Sequence, residues 1–391
     1  METIDVGPLF TPLTVGSVTL RNRFVLPGMQ RGWCQDGAPD EQLGAYYRRR
    51  VEGGVGLIIS ESVAVDDPSS TQTEMFARLT PATAEAWKRC VGAVREAGGT
   101  MILQLWHEGA IRKEGGEGPW SAHPTLSPSG LAYADKENGR AATSGELAAI
   151  RDAFVRSARL AQAAGADGVE VHGAHGYLLD QFLWGATNHR DDGYGGDDMR
   201  DRVRFPAEIV RAIRGACGPD FLISFRFSQW KEADFTARIA PTPDDLAIMT
   251  GELREAGVDV LHASTRRFWE PEWPGSDLNL AGWARKLGGL PSITVGSVGL
   301  STDVMSGFFG EPVSGRVEEG VRELVRRFGR DEFDLVAIGR SLISDPDWVS
   351  KVRDGSYAAV RTFSRDDLKL PDAELGLVAE AHGIAAREPH P

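Results

Sequence analysis

Eight short apolar runs, each separated from the next by enough chain for a helix, predict an α/β protein folded as a single (β/α)8 TIM barrel. The runs are continuous rather than alternating, as strands buried on both faces of a parallel sheet require. No shift in composition marks a boundary, so residues 1–391 read as one domain, a length that barrels with insertions reach. An open, doubly wound sheet is the alternative, but no G-x-G-x-x-G follows the first run to support it.

Taken in order, strands are expected at Phe24–Pro27, Val55–Ser60, Met101–Leu105 and Gly168–His172, then at Phe221–Phe227, Val258–Ala263, Ile293–Val295 and Leu335–Gly339. Amphipathic stretches at Thr83–Ala97, Glu146–Ala164 and Asp201–Ile213 supply helices between them. Thr143 and Glu146 have the spacing of a capping box. Gly98, Gly165 and Gly257 stand at helix ends, where glycine commonly stops a helix. Two connections exceed a bare link. Residues 106–143 read as a capping loop, with a peripheral subdomain or oligomer contact as an equal alternative. The enlarged segment 299–333 after the seventh strand carries Gly307–Gly315 and then a helix over Val317–Phe328. Residues 360–391 read as a C-terminal tail.

The net charge of −13 argues against a nucleic-acid partner, because phosphate binding along a backbone needs concentrated Lys and Arg. It leaves room for an anionic cofactor gripped by a few local donors. Cys34, Cys90 and Cys217 are far apart and show no metal-ligand or redox spacing, so no metal site is expected. Without a membrane-length apolar run, and with no signal-peptide pattern in METIDVGPLF, no membrane contact and a cytoplasmic location are expected.

Function in a barrel is read at the carboxyl ends of its strands. The fourth run delivers most: VEVHGAHGYLLDQFL sets His172, His175 and Tyr177 close together, with Gly173 and Gly176 between them. Two imidazoles and a phenol can hold a substrate oxygen and return a proton. Each alone is more simply a packed core residue; the grouping favours a site. Met29, Gln30, Ser62, Gln104, His107 and Ser264 stand at other strand ends. Arg226 lies within the apolar run FLISFRF, and a buried guanidinium needs an acceptor or an anion, an internal salt bridge being the plainer choice. GSVG and IGR end the seventh and eighth runs, where barrels commonly hold phosphate on backbone N–H groups. Together these features suggest a phosphorylated cofactor across the barrel mouth, with Gln104 and Arg226 near its polar ring.

At this point the residues match a family. From Leu9 to about Lys351 the sequence resembles the old yellow enzyme family of FMN-dependent ene-reductases. LFTPLTVGSVTLRNRFVLPGMQR looks like its amino-terminal flavin segment, GLIISES its second-strand segment and LQLWHEG its Gln-x-x-His-x-Gly motif. HGAHGYLLDQFL followed by NHRDDGYGG is the most specific match, and VAIGRSLISDPDW resembles the phosphate-binding end. The resemblance implies FMN as cofactor and NADPH or NADH as transient reductant, with flavin contacts from Pro27, Gly28, Met29, Gln30, Ser62, Gln104 and Arg226. It implies phosphate contacts from Ser297, Gly299, Gly339 and Arg340. His172 and His175 would bind the carbonyl or nitro oxygen of an activated alkene, and flavin N5 would deliver hydride. Tyr177 would protonate the α-carbon, its acidity supported by the polar site. Loss of one donor to such a developing oxyanion costs ~3 kcal/mol.

Several positions depart from the family pattern. Gln30 stands where Thr or Cys is usual, Ala110 where Arg is usual, and Trp184-Gly185 where Ser-Pro is usual. Trp269 and Trp273 follow the sixth strand, either overhanging the substrate or simply packing. A redox-neutral isomerase and a flavin-binding protein without reductase activity are the alternatives. The lack of Cys after Cys217 is expected to exclude the iron–sulfur arrangement of larger relatives. Substrate, choice of nicotinamide and assembly into a homo-oligomer stay open.

Overall fold

In the computed structural model, which describes residues 3–232, 234–303 and 314–368, the strands close into one parallel eight-stranded barrel. They are β1 (Phe24–Leu26), β2 (Leu57–Ala64), β3 (Thr100–Trp106), β4 (Gly168–His175), β5 (Leu222–Lys231), β6 (Val260–Ser264), β7 (Ser292–Val295) and β8 (Leu335–Ala337). The ring closes where Val336 and Ala337 of β8 pair with Phe24 and Val25 of β1. The helices that follow each strand in turn are α1 (Glu41–Glu52), α2 (Ala84–Glu96), α3 (Ser144–Ala163), α4 (Met199–Cys217), α5 (Pro243–Ala256), α6 (Leu280–Gly288), α7 (Val317–Phe328) and α8 (Trp348–Arg353).

Local chemistry sets these boundaries. Thr143 and Glu146 form the expected capping box at the start of α3, and Thr242 with Asp245 forms another at α5. Gly257 ends α5 in the left-handed conformation at φ 110°, open to glycine without strain. Three strands, β2, β4 and β5, run well past the ends of their apolar runs. The β4–β5 register shifts between Gly173, opposite Phe227, and His175, opposite Lys231. This bulge extends pairing beyond the residues where hydrophobicity stops, and bulges of this kind re-aim side chains beside sites.

The barrel interior is stacked in layers. At its amino-terminal end a hairpin of Leu13–Val15 and Val18–Leu20 turns Val15 and Leu20 against Val25, Leu57, Ile59, Ile102 and Leu222, sealing that end with apolar side chains. One inward step higher the residues become polar: Gln104, Glu170, Ser224 and His262, all fully buried. The period of two along a strand then turns His172, Arg226 and Ser264 into the next layer.

The long connections are ordered where described. Residues 106–143 contain a 3-10 turn at Gly109–Ile111, a hairpin of Leu131–Tyr133 with Lys136–Glu137, and a short pair of Leu126–Ser127 with Arg140–Ala141. The Gly307 part of the 299–333 segment lies outside the described residues, whereas α7 forms over the expected Val317–Phe328. The expected tail begins inside the fold. Asp367 is buried and accepts from Ser344 Oγ and Arg361, which fastens this stretch to the barrel top; residues 369–391 lie outside the described set. No described helix is long and apolar enough to cross a membrane. Among the described residues no cluster of His, Cys, Asp or Glu is arranged to hold a metal ion.

Candidate active site

A cavity of about 400 Å³ opens at the carboxyl ends of the strands, a size typical of small-molecule sites. The end of β1 contributes Gly28, Met29 and Gln30 to its wall, and β2 contributes Ser62. His172, His175 and Tyr177 come from β4, and Arg226 from β5. Ser297, Gly339 and Arg340 close the side beyond β7 and β8.

The end of β4 is held in an unusual backbone shape. His175 has φ 65° and Gly176 φ 91°, and few residues other than glycine accept the first of these. Side chains enforce it: the His175 N–H donates to Ser228 Oγ at 3.0 Å, and the Gly176 N–H donates to Asp180. Asp180 in turn takes a bond from Lys231 Nζ at 2.8 Å, both side chains being wholly buried. Lys231 also donates to the carbonyls of Ser228 at 3.2 Å and Gln229 at 2.9 Å, so the ammonium is satisfied within the protein.

This shape gathers the aromatic groups. Ring centres lie 5.3 Å apart for His172 and His175, 5.2 Å for His172 and Tyr177, and 5.2 Å for Tyr177 and Trp106. Burial and the Arg226 charge push the His172 pKa down to about 3, so the ring is neutral. Its Nδ1 accepts the Ala174 N–H at 3.2 Å, which leaves the proton on Nε2 as a donor. Burial, then Arg226, drive His175 well below its usual value too. His175 Nε2 lies 2.8 Å from Ser264 Oγ, and that oxygen also accepts from Arg226 at 3.4 Å. A hydroxyl accepting from Arg226 can still donate to His175, an arrangement in which the imidazole proton sits on Nδ1. The pair is therefore two neutral N–H donors. Burial, Glu232, Glu108 and Tyr133 raise the Tyr177 pKa, with only Arg226 opposing them. The surroundings thus weaken the phenol as an acid, contrary to the expectation that a polar site supports its acidity. They keep its proton in place at any working pH.

Below them, Glu170 anchors the polar layer. It accepts from Gln104 Nε2, Ser224 Oγ and His262 Nδ1, each at 2.8 Å. Burial alone would raise its pKa, but His262, Arg226 and Gln104 hold it down to about 2. Burial keeps His262 neutral, donating from Nδ1. Arg226 donates to the Gly28 carbonyl at 3.2 Å, and its buried Nε has no partner within the protein. Across the cavity Arg340 donates to Ser297 Oγ at 3.1 Å and to the Asp303 carbonyl at 3.2 Å. Burial lowers its pKa to about 10, opposed by Asp303, so the guanidinium stays charged. Two cations at opposite parts of one wall, one with an orphaned N–H, fit the polar ring and the phosphate of FMN.

Three expected contact residues, Pro27, Gln104 and Gly299, are absent from the wall. Gln104 sits directly behind Gly28, where an added Cβ would come within 2.7 Å of its Nε2. Its amide is occupied, accepting from Ser62 Oγ at 2.6 Å and donating to Glu170. His107 pairs with Ser69 Oγ at 3.1 Å and accepts the Gly109 N–H at 3.0 Å, a structural role away from the cavity. Trp269 packs on Phe268, and Trp273 on Trp283; neither reaches the cavity wall. Ala110 is buried, its N–H donating to Gln181. Conversely, Trp106, Trp230, Glu232, Arg266 and Phe363 line the cavity without having been singled out. Trp106 is two residues beyond Gln104 and Trp230 four beyond Arg226, so strand alternation already placed them on the inner face. Phe363 carries no such signal, because its segment has no periodic pattern. Glu170 was legible as the lone charge in VEVHG, on the same face as His172.

Comparisons with known proteins add a second line. Residues 8–304 match the NADH:flavin oxidoreductase / NADH oxidase family. An NADH oxidase of Thermoanaerobacter brockii is 35% identical over 364 residues, covering 90% of this chain and 52% of that protein. The chain thus spans about half the length of that relative. The putative 12-oxophytodienoate reductase-like protein 2A of Arabidopsis thaliana is 36% identical over 252 residues, 63% of this chain and 92% of that one. A solved structure of morphinone reductase in complex with tetrahydroNAD superposes with a TM-score of 0.75 at 27% identity, over 92% of this chain and 93% of that one.

Proposed function

From the premise that this chain belongs to the NADH:flavin oxidoreductase / NADH oxidase family, whose members depend on FMN and use NAD(P)H, we propose that it reduces the activated C=C bond of α,β-unsaturated carbonyl or nitro compounds. The observation that carries this reading is the His172–His175–Tyr177 cluster, two neutral N–H donors and a protonated phenol on one cavity wall. FMN, when bound, supplies the hydride chemistry, accepting from the nicotinamide and passing on to the substrate. Arg226 and Ser62 would hold its ring, and Ser297, Gly339 and Arg340 its phosphate. Gln104 acts through Ser62 and Gly28 rather than by lining the wall.

His172 Nε2–H and His175 Nδ1–H then bind the substrate oxygen. Because both rings are neutral, they donate hydrogen bonds without giving up a proton, and their hold strengthens as negative charge builds on that oxygen. Tyr177 supplies the proton to carbon. A phenol with a raised pKa gives it up only to a strongly basic centre, which times the transfer to follow charge development. Trp106 and Trp230 flank this trio and exclude water from one side each.

The reading is tested by anaerobic mixing of the yellow protein with NADH or NADPH, then with a panel of enones and nitroalkenes. Bleaching by a nicotinamide followed by return of colour with an enone supports it. Return of colour only with oxygen points instead to an oxidase, the activity named for the Thermoanaerobacter relative.

A further inference from the structure

Behind Gln30 lies a buried carboxyl group that the proposed chemistry leaves unused. Glu61 is fully buried on β2, one position before Ser62. Its Oε2 accepts the Arg31 N–H at 2.7 Å, and its Oε1 lies 3.4 Å from both Cys34 Sγ and Gln30 Nε2. Its own N–H donates to Tyr47 Oη at 2.7 Å. Gln30, unlike Glu61, is part of the cavity wall. The pair therefore joins a sealed acid to a side chain that a ligand would touch.

A primary amide has two unlike ends, and which end faces a ligand depends on what holds the other. An ionised carboxylate only accepts, so it takes the Gln30 N–H and leaves the Gln30 carbonyl oxygen for the cavity. A protonated carboxyl can donate, and a half-turn of the amide lets Gln30 Oε1 accept that proton while its NH2 turns to the cavity. We propose that Glu61 is a positioning residue whose protonation reverses the hydrogen-bonding face Gln30 presents to the cavity, acceptor with Glu61 ionised and donor with Glu61 protonated. The wall would then favour a ligand edge bearing N–H in the first state and one bearing a carbonyl in the second.

The groups packed round Glu61 allow such a change near neutrality. Arg31 faces it from the end of β1, Cys34 and Asp40 from the following loop, Tyr47 from α1 and Cys90 from α2. Burial raises both thiols and the Tyr47 phenol, so they stay protonated and do not compete as titrating groups. Burial pushes Glu61 itself up to about 7, with Asp40 adding to the rise; the Arg31 N–H, Cys34 and the Arg31 charge oppose it.

The switch rests on the FMN reading for its occupant but not for its existence, and the test separates the two. Protein isotope-labelled at glutamine is followed by NMR from mildly acidic to mildly alkaline buffer, the Gln30 amide signal being assigned by its loss in Gln30→Ala. The expected result is a single-proton shift of that signal centred near neutrality in the wild type and absent in Glu61→Gln. With FMN bound, the absorption of the oxidised flavin should follow the same midpoint. A flat signal, or one that persists in Glu61→Gln, overturns the proposal. Should Glu61→Gln not fold, Gln30→Leu serves: the flavin absorption should lose its pH response while the Glu61 side chain, labelled in turn, still titrates. A flavin response that survives Gln30→Leu overturns the proposal equally. An amide that titrates in protein unable to bind FMN defeats the functional reading alone.

Discussion

Below the level of Glu170 the barrel interior is filled by Leu57, Ile59, Ile102, Leu222, Val260 and Ile293 and capped by Val15 and Leu20; above it β4, β5 and β6 turn His172, Arg226 and Ser264 inward. The lower one needs only shape and volume, and its apolar atoms make no directional demand. The upper one must find a partner for every buried donor and acceptor, and it nearly does so through Glu170, Ser264 and Asp180. Arg226 Nε, His262 Nε2 and Trp106 Nε1 are left over, and the first of these lies on a residue of the cavity wall, where a ligand enters the count. A barrel becomes a site, in this chain, at the layer where internal partners run out.

The boundary residue offers the sharpest way to break this contrast. Glu170→Leu would leave Gln104 Nε2, Ser224 Oγ and His262 Nδ1 without their acceptor and Arg226 without a compensating charge. Loss of one partner from a buried charged network should destabilise the fold by about 4 kcal/mol in urea unfolding, and FMN binding should fail with it. In the lower region, Leu57→Ala should lower stability by about 3 kcal/mol, while the folded fraction binds FMN as the wild type does. Weakened FMN affinity in that variant would mean the plug is not independent of the site.

A smaller effect is expected at Ser264. Ser264→Ala removes the hydroxyl that sets the His175 tautomer, so turnover should fall about tenfold with little change in stability. A further prediction concerns pH. Glu61 has a folded pKa of about 7 against an unfolded value in the ordinary carboxylate range. The folded state therefore binds the proton more tightly, and the stability this contributes is present at low pH and lost as pH rises through that window. Wild-type stability should fall relative to Glu61→Gln across weakly acidic pH, by at most about 1.4 kcal/mol per pH unit, and the difference should level off above neutrality.

Much of this organisation was legible in the sequence, for a physical reason. Strands buried on both faces must be continuous apolar runs, so all eight declared themselves, and α7 and the Thr143 capping box followed from periodicity and spacing. The β4 cluster was visible because histidine and tyrosine interrupt such a run. The ends of β2, β4 and β5 were not, because a bulge is a pairing event between strands and leaves no local signature. Nor were the contributions of Phe363 and Arg365, which reach the cavity only because Asp367 fastens their segment to Ser344. Protonation was the least legible of all. The polar neighbours of Tyr177 suggested a stronger acid, and only burial showed the opposite.

The central claim is that the upper cluster divides its labour, with the histidines holding oxygen and Tyr177 giving the proton. Anaerobic stopped-flow measurement of both half-reactions in Tyr177→Phe tests it most directly. Flavin reduction by NADH or NADPH should proceed at close to the wild-type rate, while reoxidation by an enone should slow by ~100-fold or more. Equal loss of both half-reactions, or reoxidation at the wild-type rate, would contradict it.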